Sequence, residues 1–95
     1  MDRDFKGIWI PKEIWLTPEL NYFEKILFAE IDSLDGEKNC FASNEYFAEF
    51  FNCRVETISR AISKLKELGY ISEVGFDGRK GYLQSNLKYT IKNEH

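Results

Sequence analysis

Gly69 separates two periodicities in this 95-residue sequence, and the change confines the chain to folds in which helices run into paired strands. Before it, Val55, Ile58, Ile62 and Leu65, with Ala61 and Leu68 at the edge, recur at the spacing of a helix with one apolar face. After it, Tyr70, Ile71, Ser72, Glu73 and Val74 read as a strand. The segment FDGRKG (76–81) reads as a glycine-rich turn, and LKYTIK (87–92) as a strictly alternating returning strand. Gly69 itself is the expected C′ stop of the helix.

Two further helices are predicted upstream. Thr17 is the expected N-cap of the first, with Pro18 preset at the first helical position and Glu19 favourable to the helix dipole. Leu20, Phe23, Ile26, Leu27, Ile31 and Leu34 then bury one face through about residue 34, where Asp35 and Gly36 end it. NCFAS (39–43) suits a single short strand, and Ser43 caps the second helix, NEYFAEFF. Asn52 and Cys53 make a tight break before the third helix. At the start, GIWIPKEIW (7–15) suits a short extended stretch leading into a turn of helix, and Trp9 and Trp15, set among isoleucines, read as core or packing residues.

Two short helices joined by a tight turn, the second polar and basic outside and followed by a hairpin, give the expected fold. It is α+β, mainly α: a winged helix-turn-helix of three helices, a C-terminal β-hairpin wing and a short strand before the second helix. Residues 1–16 are expected to be an apolar lead-in packing on the domain, 17–92 the domain and 93–95 a tail. A helix of this kind fits the major groove of DNA, its N-terminal half reaches base edges, and a cationic hairpin tip lies along the backbone or minor groove.

The charge is distributed accordingly. The net charge of −3 divides into −6 over residues 1–51, +4 over residues 52–93 and −1 from Glu94. An electrostatic footprint for nucleic acid is local, so the basic segment outweighs the acidic average. Arg60 stands at the centre of the outward helix face, nearly opposite Ile58 and Ile62, with Glu56 one turn before it. Thr57, Ser59 and Ser63 flank it with hydroxyls, and Lys64 is an expected phosphate contact, whereas Lys66 lies nearer the apolar edge. On the wing, Arg79 and Lys80 sit between Gly78 and Gly81. Asn44 and Tyr46 stand where a helix N-terminus meets a phosphate.

The stretch CFASNEYFAEFFNCRVETISRAISKLKELGYI, with the lead-in GIWIPKEIW, resembles the winged helix-turn-helix domains of phage and plasmid replication initiators and replisome organisers. In those, a Ser-capped helix carrying an Ala precedes a Thr-bearing recognition helix that ends in Leu-Gly-Tyr-Ile or similar. The resemblance extends from about Gly7 to Lys92. It implies a DNA-binding, non-enzymatic domain, often joined to a further C-terminal region for self-association or helicase loading. Arg54 departs from the pattern, standing where such domains commonly place Ser or Thr. A cation at that position costs a few tenths to about 1 kcal/mol against the helix dipole, which a phosphate contact would offset.

Other function classes find little support. Cys40 and Cys53 are too few for a disulfide framework, and with the lone His95 they cannot complete a zinc site. No apolar run approaches the roughly 20 residues of a membrane span, and no signal-peptide core follows MDRDFKG, so a cytoplasmic location is expected. With no glycine-rich phosphate loop and no nucleophile–histidine set, neither an enzyme, a cofactor nor a small-molecule substrate is expected. Double-stranded DNA is the expected partner, with a homodimer or another replication protein possible besides. A protein-assembly winged helix, or a transcriptional regulator of the same fold, is the alternative reading.

Overall fold

Asn21, and not Thr17, opens the long helix of this protein. The computed structural model describes residues 9–38, 42–76 and 79–86. They form α1 (Lys12–Leu16), α2 (Tyr22–Lys38), α3 (Asn44–Phe51), α4 (Val55–Glu67), β1 (Ile71–Phe76) and β2 (Arg79–Ser85). The Asn21 Oδ1 accepts the Glu24 N–H at 2.8 Å while the Glu24 carboxylate accepts the Asn21 N–H at 2.8 Å. This reciprocal pair satisfies two of the backbone donors that a helix start leaves unpaired. Thr17 instead ends α1, and its Oγ1 accepts the Glu19 N–H at 3.4 Å. Pro18 is therefore not helical. At its other end α2 runs past Asp35 and Gly36 to Lys38.

Both ends of the helix-turn-helix are fixed by backbone conformation. Ser43 caps α3 by accepting the Tyr46 N–H at 3.0 Å. Asn52 then adopts a left-handed conformation, φ 57°, and the Cys53 and Asn52 N–H groups bond back to the carbonyls of Ala48 (2.9 Å) and Glu49 (3.3 Å). This is a Schellman closure, and it repeats at the end of α4. There Gly69 has φ +89°, and Tyr70 and Gly69 bond to the carbonyls of Leu65 (2.9 Å) and Lys66 (3.1 Å).

The core lies between α2, the buried faces of α3 and α4, and the base of the hairpin. Leu27, Phe28, Ile31, Phe47, Ile58, Leu65 and Ile71 are all buried, each worth roughly 1.5–3 kcal/mol of hydrophobic transfer. Phe28, which the expected stripe omits, is fully buried, whereas Ile26 is only partly buried. Ala61 is fully inside the α4 stripe, whereas Val55 and Leu68 at its two ends are exposed. Ile14 is buried, yet Trp9 (72% exposed) and Trp15 stand in solvent. The core half of the expectation for the two tryptophans is corrected, because Lys12–Leu16 is a single turn that buries only Ile14, while Trp15 is a packing residue that stacks on Tyr22.

The wing is an antiparallel pair whose second strand is Arg79–Ser85; residues 87–92, expected as a returning strand, lie outside the described residues. Phe76 pairs with Arg79 at the tip of the hairpin. The register shifts by one between Val74 and Phe76, where a single residue of β1 faces two of β2, Lys80 and Gly81. Arg79, Lys80 and Gly81 thus belong to the strand rather than to the turn. The short strand expected at 39–43 falls mostly outside the described residues, and Ala42 and Ser43 are not in a strand. Asn86 closes the hairpin base: its N–H bonds to Tyr70 O (2.9 Å), and its amide to Gly69 O and Ser72 Oγ (both 3.0 Å).

Candidate nucleic-acid interface

Residues 52–54 join α3 to α4 in three residues, so the exposed face of α4 is rigidly set by the helix behind it. Ile58, Ala61, Ile62 and Leu65 are buried, while Arg54, Glu56, Thr57, Ser59, Arg60 and Ser63 are exposed. At about 100° per residue, Glu56, Thr57, Ser63 and Lys64 lie within roughly 60° of Arg60, and Ser59 about 100° away. Six of the seven expected helix residues are thus exposed, and Glu56, Thr57, Arg60 and Ser63 share one face. Arg54 is at the N-cap position with no side-chain cap bond. Neither Arg54 nor Arg60 forms an ion pair with any described residue.

Lys64 is the exception. It is half-buried and turns towards α2, where its Nζ bonds the Glu24 carboxylate at 3.0 Å. Lys66 is also engaged, with Glu73 of β1 at 2.9 Å, tying the helix to the wing. Glu67 is exposed one turn beyond Ser63 and about 20° from Arg60 on the wheel. Two carboxylates, Glu56 and Glu67, thus bracket Arg60 along the face, the second at a spacing of seven residues that places it on the same side of the helix.

At the start of α3, Asn44 and Tyr46 are half-buried, and the Tyr46 ring stacks on Phe50 (6.1 Å, 11°) while the same side chain packs against the core. Tyr46 thus presents an edge and not a free ring. Arg79 and Lys80 begin β2, and their side chains lie outside the described residues. The hairpin leaves the end of α4 through Gly69 and Tyr70, so the wing and the helix face spring from one joint. The Tyr70 hydroxyl donates to Glu19 at 2.7 Å, and its ring meets Phe28 edge-on at 5.8 Å. Burial, and then the Glu19 carboxylate, push the Tyr70 pKa above its ordinary value, with the Thr17 hydrogen bond opposing. Among the described residues no group of His, Cys, Asp and Glu is placed to hold a metal ion.

A family model described as a helix-turn-helix domain matches residues 19–71, more than half of the chain. The chain belongs to the helix-turn-helix domain family. The match starts two residues before the Asn21 cap and ends on Ile71, so it contains α2, α3 and α4 and leaves nearly all of the wing outside. Membership supports DNA binding by this helix-turn-helix domain. Among curated proteins and among solved structures, nothing matches the chain. No described helix is long and apolar enough to cross a membrane.

Proposed function

We propose that this helix-turn-helix domain binds double-stranded DNA sequence-specifically, with α4 in the major groove and the wing on the flanking backbone or minor groove. The observation that carries the reading is the division of α4 into a buried apolar stripe and an exposed face. That face holds two cations free of described ion pairs, Arg54 and Arg60, and the hydroxyls of Thr57, Ser59 and Ser63. Arg60 is the proposed base-reading residue, because a guanidinium at mid-helix reaches the O6 and N7 of a guanine in two bonds. Arg54, Arg79 and Lys80 are proposed phosphate contacts, and Lys64 becomes one only by exchanging its Glu24 partner for a phosphate. Asn44 and Tyr46 supply the backbone contact of α3, and Glu56 orients Arg60 or accepts from a cytosine amino group.

The resemblance of residues 40–71 to phage and plasmid replication initiators supports a role at repeated sites in a replication origin, with another replication protein as second partner. Residues 17–92 act as one DNA-binding unit, with 1–16 as its lead-in. Selection from a randomised duplex pool tests this. An enriched motif is expected, and Arg60→Ala is expected to relax preference at one base pair, at a cost of about 1–3 kcal/mol. A pool that shows no enrichment would contradict sequence-specific readout.

A further inference from the structure

We infer that the depression between the end of α1 and the start of α2 is a docking site for an acidic, apolar segment of a partner protein, with Lys25 as its counter-charge. This inference is independent of the DNA-binding reading. Trp9, Trp15, Leu16 and Tyr22, all exposed, fall within fourteen residues, and among the described residues only Val55 and Leu68 are other large exposed apolar side chains. Trp15 and Tyr22 stack at 5.3 Å with their planes 21° apart, and the Lys25 ammonium lies 5.3 Å from the Trp15 ring and 5.5 Å from the Tyr22 ring. The exposed rings are thus held in one arrangement before anything binds, which lowers the ordering cost of docking.

Beside them is an open depression of about 340 Å³, its walls Leu16, Pro18, Leu20 and Tyr22 with the polar Thr17 and Asn21, together with Lys25. Lys25 is only 7% exposed. Its Nζ donates to the carbonyl oxygen of Trp15, the only described acceptor for its three N–H groups. Among the described residues no carboxylate lies within ion-pair distance of it: the neighbouring Glu24 is taken by Lys64, and Glu19 by Tyr70. A largely buried ammonium without an anionic partner is costly, and an incoming carboxylate supplies the missing charge.

The walls decide which carrier of negative charge fits. A phosphodiester needs several cationic donors, and this site offers one cation, Lys25, beside largely apolar walls. An Asp or Glu next to an aliphatic or aromatic side chain satisfies both the cation and the walls. The occupant is therefore a protein segment and not nucleic acid.

A random peptide library displayed on phage, selected on the whole chain and counter-selected on Tyr22→Ala, tests this, because Tyr22 is 68% exposed and its truncation spares the core. The peptides recovered are expected to carry Asp or Glu beside an apolar residue. Replacing that carboxylate by its amide, or Tyr22 by Ala in the protein, is expected to weaken binding by about tenfold or more. Lys25→Met is expected to abolish the distinction between acid and amide. Recovery of peptides without a carboxylate, equal binding to Tyr22→Ala, or no recovery at all would overturn the proposal. So would displacement by inorganic phosphate or duplex DNA, or a Tyr22-dependent dimer in sedimentation velocity, which would give the surface to a phosphate or to a second copy of the chain.

Discussion

The Lys64 ammonium on α4 and the Asn21 N–H at the start of α2 converge on one oxygen of Glu24, at 3.0 and 2.8 Å. One carboxylate thereby starts the long helix and anchors the recognition helix to it. The Glu24 side chain is 10% exposed and that of Lys64 42%, so the partners contribute unequally. Glu24→Ala is expected to destabilise the protein by about 1–2 kcal/mol, chiefly through the lost cap. Lys64→Met is expected to cost less than about 1 kcal/mol, as solvent screens the exposed partner. Urea unfolding of both single variants and the double variant checks this, with a coupling of about 0.5–1 kcal/mol expected. Strictly additive costs would mean that the contact does not link the helices.

The two left-handed positions give a second prediction. At Gly69 an added Cβ would meet nothing within 4 Å, so Gly69→Ala isolates the backbone cost of φ +89°. A loss of about 1–2 kcal/mol is expected. Asn52, at φ 57°, is expected to accept Gly with little change and to lose about 1 kcal/mol or more as Val. Thermal unfolding of the three variants measures the difference, and a neutral Gly69→Ala would refute the backbone origin.

These two caps also mark what was legible in the sequence. Ser43, Asn52 and Gly69 carry local signals strong enough to fix their elements alone, so the helix-turn-helix could be read directly. Thr17 carried a similar signal and misled, because the Asn21–Glu24 capping pair outcompetes it and is cemented by Lys64, a residue forty positions away. Arg79, Lys80 and Gly81 look like turn residues in the sequence, whereas cross-strand pairing of 82–85 with 71–74 draws them into β2. The inward turn of Lys64 and the exposure of Trp15 depend on tertiary contacts that periodicity does not encode.

Tyr70 makes stability depend on alkaline pH. Its phenol pKa is raised in the folded state, chiefly by burial, so its contribution is full below the unfolded value of about 10 and is lost as pH rises through the raised folded value. Tyr70→Phe is expected to lose about 1 kcal/mol at neutral pH, with the hydrogen bond to Glu19. It is also expected to fall less steeply than the parent protein above pH 10. Parallel stability curves for the two proteins over that range would contradict the assignment.

Glu56 and Glu67 bracket the proposed base-reading Arg60 and oppose the approach of phosphate. Glu67→Gln is expected to raise affinity for random duplex DNA by about two- to fivefold at low salt, an effect that fades as salt screens it. Glu56→Gln is expected to raise non-specific affinity similarly while blurring preference for the selected motif. Anisotropy titrations on random and selected duplexes separate the two, and unchanged affinity for both variants would place the helix face away from DNA.

The most direct test of the account is the salt dependence of duplex binding, measured by fluorescence anisotropy for the parent chain and for Arg60→Ala with Arg79→Ala. A log–log slope of about −3 to −6 is expected for the parent, reduced in magnitude by about 1–2 in the double variant. A parent protein that does not bind duplex DNA even near 50 mM salt, or a double variant with undiminished slope, would contradict DNA recognition through α4 and the wing.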